Sequence, residues 1–300
     1  MSRRKDIFVL LFFLVFFFVA LYLIFGTFTA DDTFKDVSLV SGEKIGLIRV
    51  LGGIYDPEPI LDQLDRAEES SGVKALIIRL ETPGGSVAAS QEIYQRVADL
   101  RDETEIPIIA SMGNIAASGG YYIAMGVDTI MANPGTITGS IGVIFSFPQY
   151  YELFEKIGLS HEVLKSGRFK DTGSPLRSMD KAERQYLQAL IDDSYQQFIE
   201  TVAAERGMDL SEVELLADGR VYTGRQAKES NLIDMLGTYH DAIDLAAELG
   251  GISGTPDVVD LAKEKGLTLY DLLFGDLMKI LTYKFGLTMP LKYEMVTGFP

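Results

Sequence analysis

Apolar and polar positions divide this 300-residue chain into three regimes. Ile7 to Phe25 is an unbroken apolar run without a charge, close to the ~20 residues that span a bilayer. From Lys44 onward, short continuous apolar runs alternate with amphipathic stretches. Lys44–Val50, Val73–Leu80 and Pro107–Met112 read as strands of a buried sheet. Between them, a helix follows Pro57 with Ile60, Leu61, Leu64 and Ala67 at helical spacing, and a second runs from Val87 to about Arg101. Ser86 is placed to cap the second. This alternation predicts an α/β fold, a mostly parallel sheet with helices on its faces.

Further on, the pattern predicts strands at Thr129–Ala132 and Ile141–Phe145, a helix around Tyr150–Lys156 and a strand at Glu162–Leu164. A polar loop, Lys165–Pro175, precedes a long helix, 181–206, that opens at Asp180, where Glu183 completes a capping-box start. Leu187, Leu190, Ile191, Phe198 and Val202 form its apolar stripe. Thr223 and Gln226 repeat the capping pattern, and His240 starts another helix. Leu269, Leu272, Leu273, Leu277, Ile280 and Leu281 make an amphipathic tail, read as packing on the body or on a neighbouring subunit. The expected organisation is a basic tail (1–6), a transmembrane signal anchor (7–26), a linker (27–43), a main domain (44–250) and a C-terminal tail (251–300).

Charge adds a topology. Arg3, Arg4 and Lys5 precede the apolar run and Asp31 and Asp32 follow it, which predicts an N-terminus inside and a body outside the cytoplasm. Phe28 stands where a cleaved signal peptide requires a small residue, so the run reads as an uncleaved anchor. The net charge of −16 argues against nucleic-acid binding. The absence of cysteine excludes disulfides, thiolate nucleophiles and Cys-ligated zinc. The two histidines, His161 and His240, lack an HExxH-like spacing, which argues against a multi-His metal centre; no metal or cofactor is expected.

The chemistry centres on Ala116-Ala117-Ser118-Gly119-Gly120-Tyr121-Tyr122, between an apolar run and a helical one. Strand, tight turn, serine and helix together lift a side chain to the carboxyl edge of a sheet, where a helix N-terminus can polarise an oxyanion. The same pattern also suits a simple helix cap. A nucleophilic serine needs a base, and both histidines read as surface or structural residues. A lysine can serve if it is neutral. A solvated lysine, with pKa ~10.4, is charged at neutral pH, so the base must be desolvated and free of carboxylates.

Five ordered segments carry a resemblance: Thr82-Pro83-Gly84-Gly85-Ser86, Ala117-Ser118-Gly119-Gly120-Tyr121, Thr138-Gly139-Ser140-Ile141-Gly142-Val143, Phe169-Lys170-Asp171-Thr172-Gly173-Ser174-Pro175 and Asp218-Gly219-Arg220-Val221-Tyr222-Thr223-Gly224-Arg225-Gln226-Ala227. From about residue 44 to 250 the chain resembles the signal peptide peptidase A (SppA) family, in its short single-domain form. The resemblance implies a Clp-protease/crotonase-like fold and a membrane-anchored Ser–Lys endopeptidase that degrades released signal peptides. It implies Ser118 as nucleophile, Lys170 as general base and Ser140 as the hydroxyl orienting the lysine. Gly84 or Gly85 would join Gly119 in the oxyanion hole. Lys165 is the rival base, read as solvated at a strand end. Asp171, adjacent to Lys170, is expected to point the other way along an extended loop. The resemblance further implies apolar peptide substrates, a ring-like homo-oligomer at the cytoplasmic membrane, and a serine and lysine that can come from different subunits. The alternatives are a catalytically silent scaffold of the same fold, a quality-control peptidase acting on membrane-associated proteins and an acyl-CoA enzyme.

Overall fold

A computed structural model describes residues 42–262 and 292–294. The expected anchor at 7–26 and the amphipathic stripe at 269–281 lie outside the described residues. Among the described residues, no helix is long and apolar enough to cross a membrane.

The body is an α/β arrangement around one mostly parallel sheet of eight strands. In chain order the elements run β1 (Lys44–Leu51), α1 (Glu58–Glu69), β2 (Val73–Thr82), β3 (Gly84–Ser86), α2 (Val87–Glu103), β4 (Ile108–Ala117), α3 (Gly119–Ala124), β5 (Thr129–Ala132), β6 (Ile137–Gly139) and α4 (Tyr151–Lys156). They continue with α5 (Lys181–Arg206), α6 (Leu210–Leu216), β7 (Val221–Thr223), α7 (Gly224–Glu229), β8 (Met235–Leu236), α8 (Tyr239–Leu249), β9 (Asp257–Asp260) and β10 (Lys292–Glu294). The central path is β7-β6-β4-β2-β1-β9. All its pairings are parallel except β6 with β7. β10 pairs antiparallel with β3 in a separate two-stranded sheet.

Both faces of the sheet are covered, which is why its strands read as continuous apolar runs. Along β2, Leu76, Ile78 and Leu80 face the larger core, shared with residues of α1, α2, α3 and α5. Ala75 and Ile77 face the smaller core beneath α8. Helix α5 begins as expected: the Asp180 carboxylate accepts from Glu183 N at 2.8 Å and Asp180 N donates back to Glu183 at 2.9 Å. Its apolar stripe is only partly buried, with Leu187, Phe198 and Val202 inside and Leu190 exposed.

Three local expectations fail. The strand expected at Ile141–Phe145 forms earlier, at Ile137–Gly139, because those residues continue the pairing along β4. No strand forms at Glu162–Leu164; the segment is exposed and, among the described residues, has no neighbouring strand to pair with. Ser86 stands at the N-cap of α2 but makes no side-chain cap bond; its N–H donates to Ile54 O at 2.6 Å within the short strand β3.

The length of β4 matters most for the site. Up to Met112 it runs in register with β2; then three residues, 113–115, stand opposite the single Glu81 before Ala116 pairs with Thr82. The Glu81 carboxylate fills this bulge, accepting from Asn114 N at 3.0 Å and Ile115 N at 3.3 Å. Bulges re-aim a strand end. The opposite edge of β4 changes partner at the same place, from β5 below to β6 above.

Candidate active site

Ser118 follows the last residue of β4 and caps α3 with φ 56° and ψ −117°. Left-handed φ is costly for a side chain with a Cβ and persists only where the surroundings enforce it. Among the described residues only Ser118, Ser140 and Asn231 are non-glycines with positive φ. Two of the three are the serines singled out from the sequence.

Several bonds enforce the turn. Ser118 N donates to Gly139 O at 2.7 Å, and Tyr122 N donates to Ser118 O at 2.8 Å. The Thr138 hydroxyl donates to Ala116 O at 2.7 Å, and Ser140 N to Arg220 O at 2.9 Å. Helix α3 is fixed from behind. The Tyr121 hydroxyl donates to Leu232 O at 2.7 Å, and burial pushes its pKa well above the ordinary phenol range. The Tyr122 ring lies 5.0 Å from Phe198 and 5.2 Å from Tyr94.

The Ser118 hydroxyl is fully buried and has no hydrogen-bond partner among the described residues. Buried polar atoms are nearly always paired, so an orphan at a strained turn points to function. Next to it, Gly119 N occupies the first turn of α3, where amides lack intrahelical acceptors.

The Pro-Gly-Gly segment is more ordered than a plain turn. Ile54 N donates to Gly84 O at 3.0 Å, and a Cβ on Gly85 would fall 2.0 Å from Ile54 O, so glycine is obligatory there. Gly84, at φ 104°, donates its N–H to the Thr82 hydroxyl at 3.1 Å. That bond engages the Gly84 amide, while Gly85 is paired with Tyr293 of β10. Thr82 and Ile54 escaped sequence reasoning; Thr82 enters there only as the first residue of a segment that carries the family resemblance.

Ser118, Gly119, Gly139 and Ser140 are therefore stitched into one turn cluster, with Gly120 of α3 against Thr82. Lys170 is not brought to Ser118 Oγ within the chain. It lies exposed on the loop after residue 164, without a hydrogen bond or ion pair to another described residue through its side chain. Lys165, the rival base, pairs with Asp171 and also donates to Arg168 O at 3.1 Å, so it is an ion-pair partner and not a free amine. Asp171 is engaged by Arg177 and Lys165, whose hydrogen bonds hold its carboxyl well below the usual carboxylate range. His161 and His240 are both exposed. Among the described residues no group of three or more His, Asp or Glu side chains is gathered for a metal ion.

A mostly parallel α/β sheet that presents a buried, strained serine at a helix head has the form of a serine-hydrolase site. The family description "Peptidase family S49" matches residues 101–253. A Synechocystis sp. protein named as a protease (slr0021) is 48% identical over 221 residues, covering 73% of this chain and 78% of that protein. A Methanocaldococcus jannaschii protein named as a protease (MJ0651) is 32% identical over 255 residues, covering 80% and 81%. An Enterococcus faecium protein named signal peptide peptidase SppA is 40% identical over 190 residues, covering 63% and 55%. The chain belongs to peptidase family S49, the SppA family, and is a serine protease.

Proposed function

We propose that this protease is a Ser–Lys endopeptidase of Clp-protease/crotonase-like fold, anchored in the cytoplasmic membrane by residues 7–26 with its active site outside. It degrades signal peptides already released from secretory precursors. The observation that carries the catalytic reading is the buried, partnerless Ser118 hydroxyl in a left-handed turn at the head of α3.

In this mechanism the neutral Lys170 amine takes the Ser118 proton as Oγ attacks the scissile carbonyl carbon. The amides of Gly119 and Gly85 stabilise the oxyanion. The lysine's new proton passes to the leaving amine, giving an ester on Ser118, and the same amine then activates the water that hydrolyses it. The Ser140 hydroxyl holds the amine in line. Because one chain leaves the Ser118 hydroxyl unpaired and Lys170 exposed, the reading has a neighbouring subunit of a ring-like homo-oligomer supply the lysine.

The pairing of β10 with β3 supports an extended peptide as substrate, since it demonstrates that the edge of Gly84–Ser86 accepts an antiparallel strand. Strand addition supplies affinity through main-chain bonds while pockets select alternate side chains. An anchored enzyme also meets bilayer-retained apolar remnants at high local concentration.

The test is turnover of a synthetic signal peptide, with labelling by a fluorophosphonate. Ser118→Ala and Lys170→Ala each lose turnover while keeping the wild-type melting profile, and Ser118→Ala loses labelling. Co-assembly of the two variants restores part of the activity if the lysine acts across subunits. Turnover retained by Ser118→Ala removes the serine from the chemistry, and a wild type that never labels favours a silent scaffold.

A further inference from the structure

The loop bearing Lys170 is fastened to α5 by one guanidinium. Arg177 Nε donates to Asp171 Oδ2 at 2.8 Å, and its Nη2 donates to Asp171 Oδ1 at 2.8 Å. The same guanidinium turns to Glu183, donating through Nη1 to Oε2 at 2.8 Å and through Nη2 to Oε1. Remaining donor capacity goes to the carbonyls of Asp171 and Ser178. Glu183 is 1% exposed and is also the capping partner of Asp180. Thr172 adds a hydroxyl to Glu183 at 3.3 Å.

The charges of this cluster are matched without Lys170. Asp171 faces Arg177 and Lys165, Glu183 faces Arg177, and Asp180 faces Arg168 at 3.0 Å. No described carboxylate pairs with Lys170, although Asp171 is its immediate neighbour in sequence. We propose that Arg177 is a positioning residue for the reaction: by bridging Asp171 to the buried Glu183, it keeps the adjacent carboxylate away from the Lys170 amine. This rests on Lys170 being the general base, whose task requires an amine without a counter-ion. Two planar oxygens on Asp171 and two on Glu183 demand a forked donor, which arginine supplies and lysine does not. Lys165 reaches only Asp171 Oδ1, so loss of Arg177 leaves Oδ2 free to capture the amine.

The experiment is the pH dependence of kcat/KM for a quenched fluorogenic signal-peptide substrate, with melting curves as the control for folding. An opposite charge at close range favours the charged form of its partner by about one pH unit or more. In Arg177→Gln the rising limb therefore moves up by about one unit, a loss of about tenfold below the limb with recovery above it. Adding Asp171→Asn to Arg177→Gln returns the limb to its wild-type position. Arg177→Lys, which keeps a cation for Glu183, shows a smaller upward movement and covers the case in which the glutamine variant does not fold. A folded Arg177→Lys or Arg177→Gln whose rate falls equally at every pH overturns the proposal, as does a moved limb that Asp171→Asn does not return. Turnover retained by Lys170→Ala would instead refute the base assignment, a result separate from anything read at Arg177.

Discussion

Gly120→Ala tests how tightly the nucleophile turn is held against the end of β2. A Cβ at Gly120 would lie 2.5 Å from Thr82 Cγ2. The methyl cannot simply swing away, because Thr82 is fully buried and its hydroxyl accepts from Gly84 N at 3.1 Å. Two effects compete. Replacing glycine by alanine within a helix favours folding by at most about 1 kcal/mol. Overpacking a buried contact costs about 1–3 kcal/mol. The clash wins, and the expected net loss is about 1–2 kcal/mol. In a body of this size, 1 kcal/mol moves Tm by about 2–4 °C, so the variant melts several degrees lower. The start of α3 must also retreat, and it carries Ser118. A displacement of a few tenths of an ångström there lowers the rate of fluorophosphonate labelling on the order of tenfold. Thr82→Ser removes the offending methyl and keeps the hydroxyl for Gly84; alone it costs about 0.5–1.5 kcal/mol, as for one buried methyl lost. The double variant regains both Tm and labelling rate, with a coupling of about 1 kcal/mol. Strict additivity in the cycle, or a higher Tm for Gly120→Ala, refutes the claim that Thr82 and Gly120 fix the turn.

Other outcomes follow from the same geometry. The Glu183 carboxyl is held down at about 2 by hydrogen bonds from Arg177, then from Asp180 N, against an ordinary 4.5. Its contribution to stability is thus present above about pH 4.5 and lost as pH falls toward 2; Glu183→Gln flattens the fall of Tm across that window. Lys165→Gln keeps a working base and retains turnover, whereas Lys170→Gln loses it; the reverse result exchanges their roles. A chain ending before Lys292 lacks the strand on the edge of β3, so KM for an extended peptide falls while kcat holds; an unchanged KM excludes that edge from substrate binding. EDTA leaves turnover unchanged, and its loss on chelation would bring a metal into the reaction.

The strands of the buried sheet were legible because both faces are covered, leaving long apolar runs at Val73–Leu80 and Ile106–Ala110. Capping boxes made the starts of α5 and α7 legible to the residue. The misread pieces depend on partners remote in sequence. Ile137–Gly139 is a strand only because β4 extends past its bulge to receive it, and Gly84–Ser86 is a strand because Ile54 and β10 flank it. The Glu81 carboxylate that shapes the bulge left no mark in an apolar pattern. Ser118 was legible through its glycines, but the strain at Ser118 and Ser140 was not, since nothing local in either segment requires a left-handed serine. The expectation for Asp171 relied on alternation along an extended loop. The backbone there is a series of turns, and ion pairing to Arg177 and Lys165 is what occupies the carboxylate.

The two strained serines are joined through one bond. Ser118 N–H donates to the Gly139 carbonyl, and the chain turns sharply there, with Gly139 at φ 76° and Ser140 at φ 52°. Relief at either turn would withdraw support from the other, so the strain is held by β4, β6 and β7 together and not by either segment alone. Strain of about 1–3 kcal/mol at each non-glycine site is small beside the burial of a sheet covered on both faces. A large parallel core can therefore hold a hydroxyl at its edge unpaired and a backbone out of its preferred region. An isolated turn of the same sequence could do neither, because nothing would stop it relaxing into an ordinary helix cap.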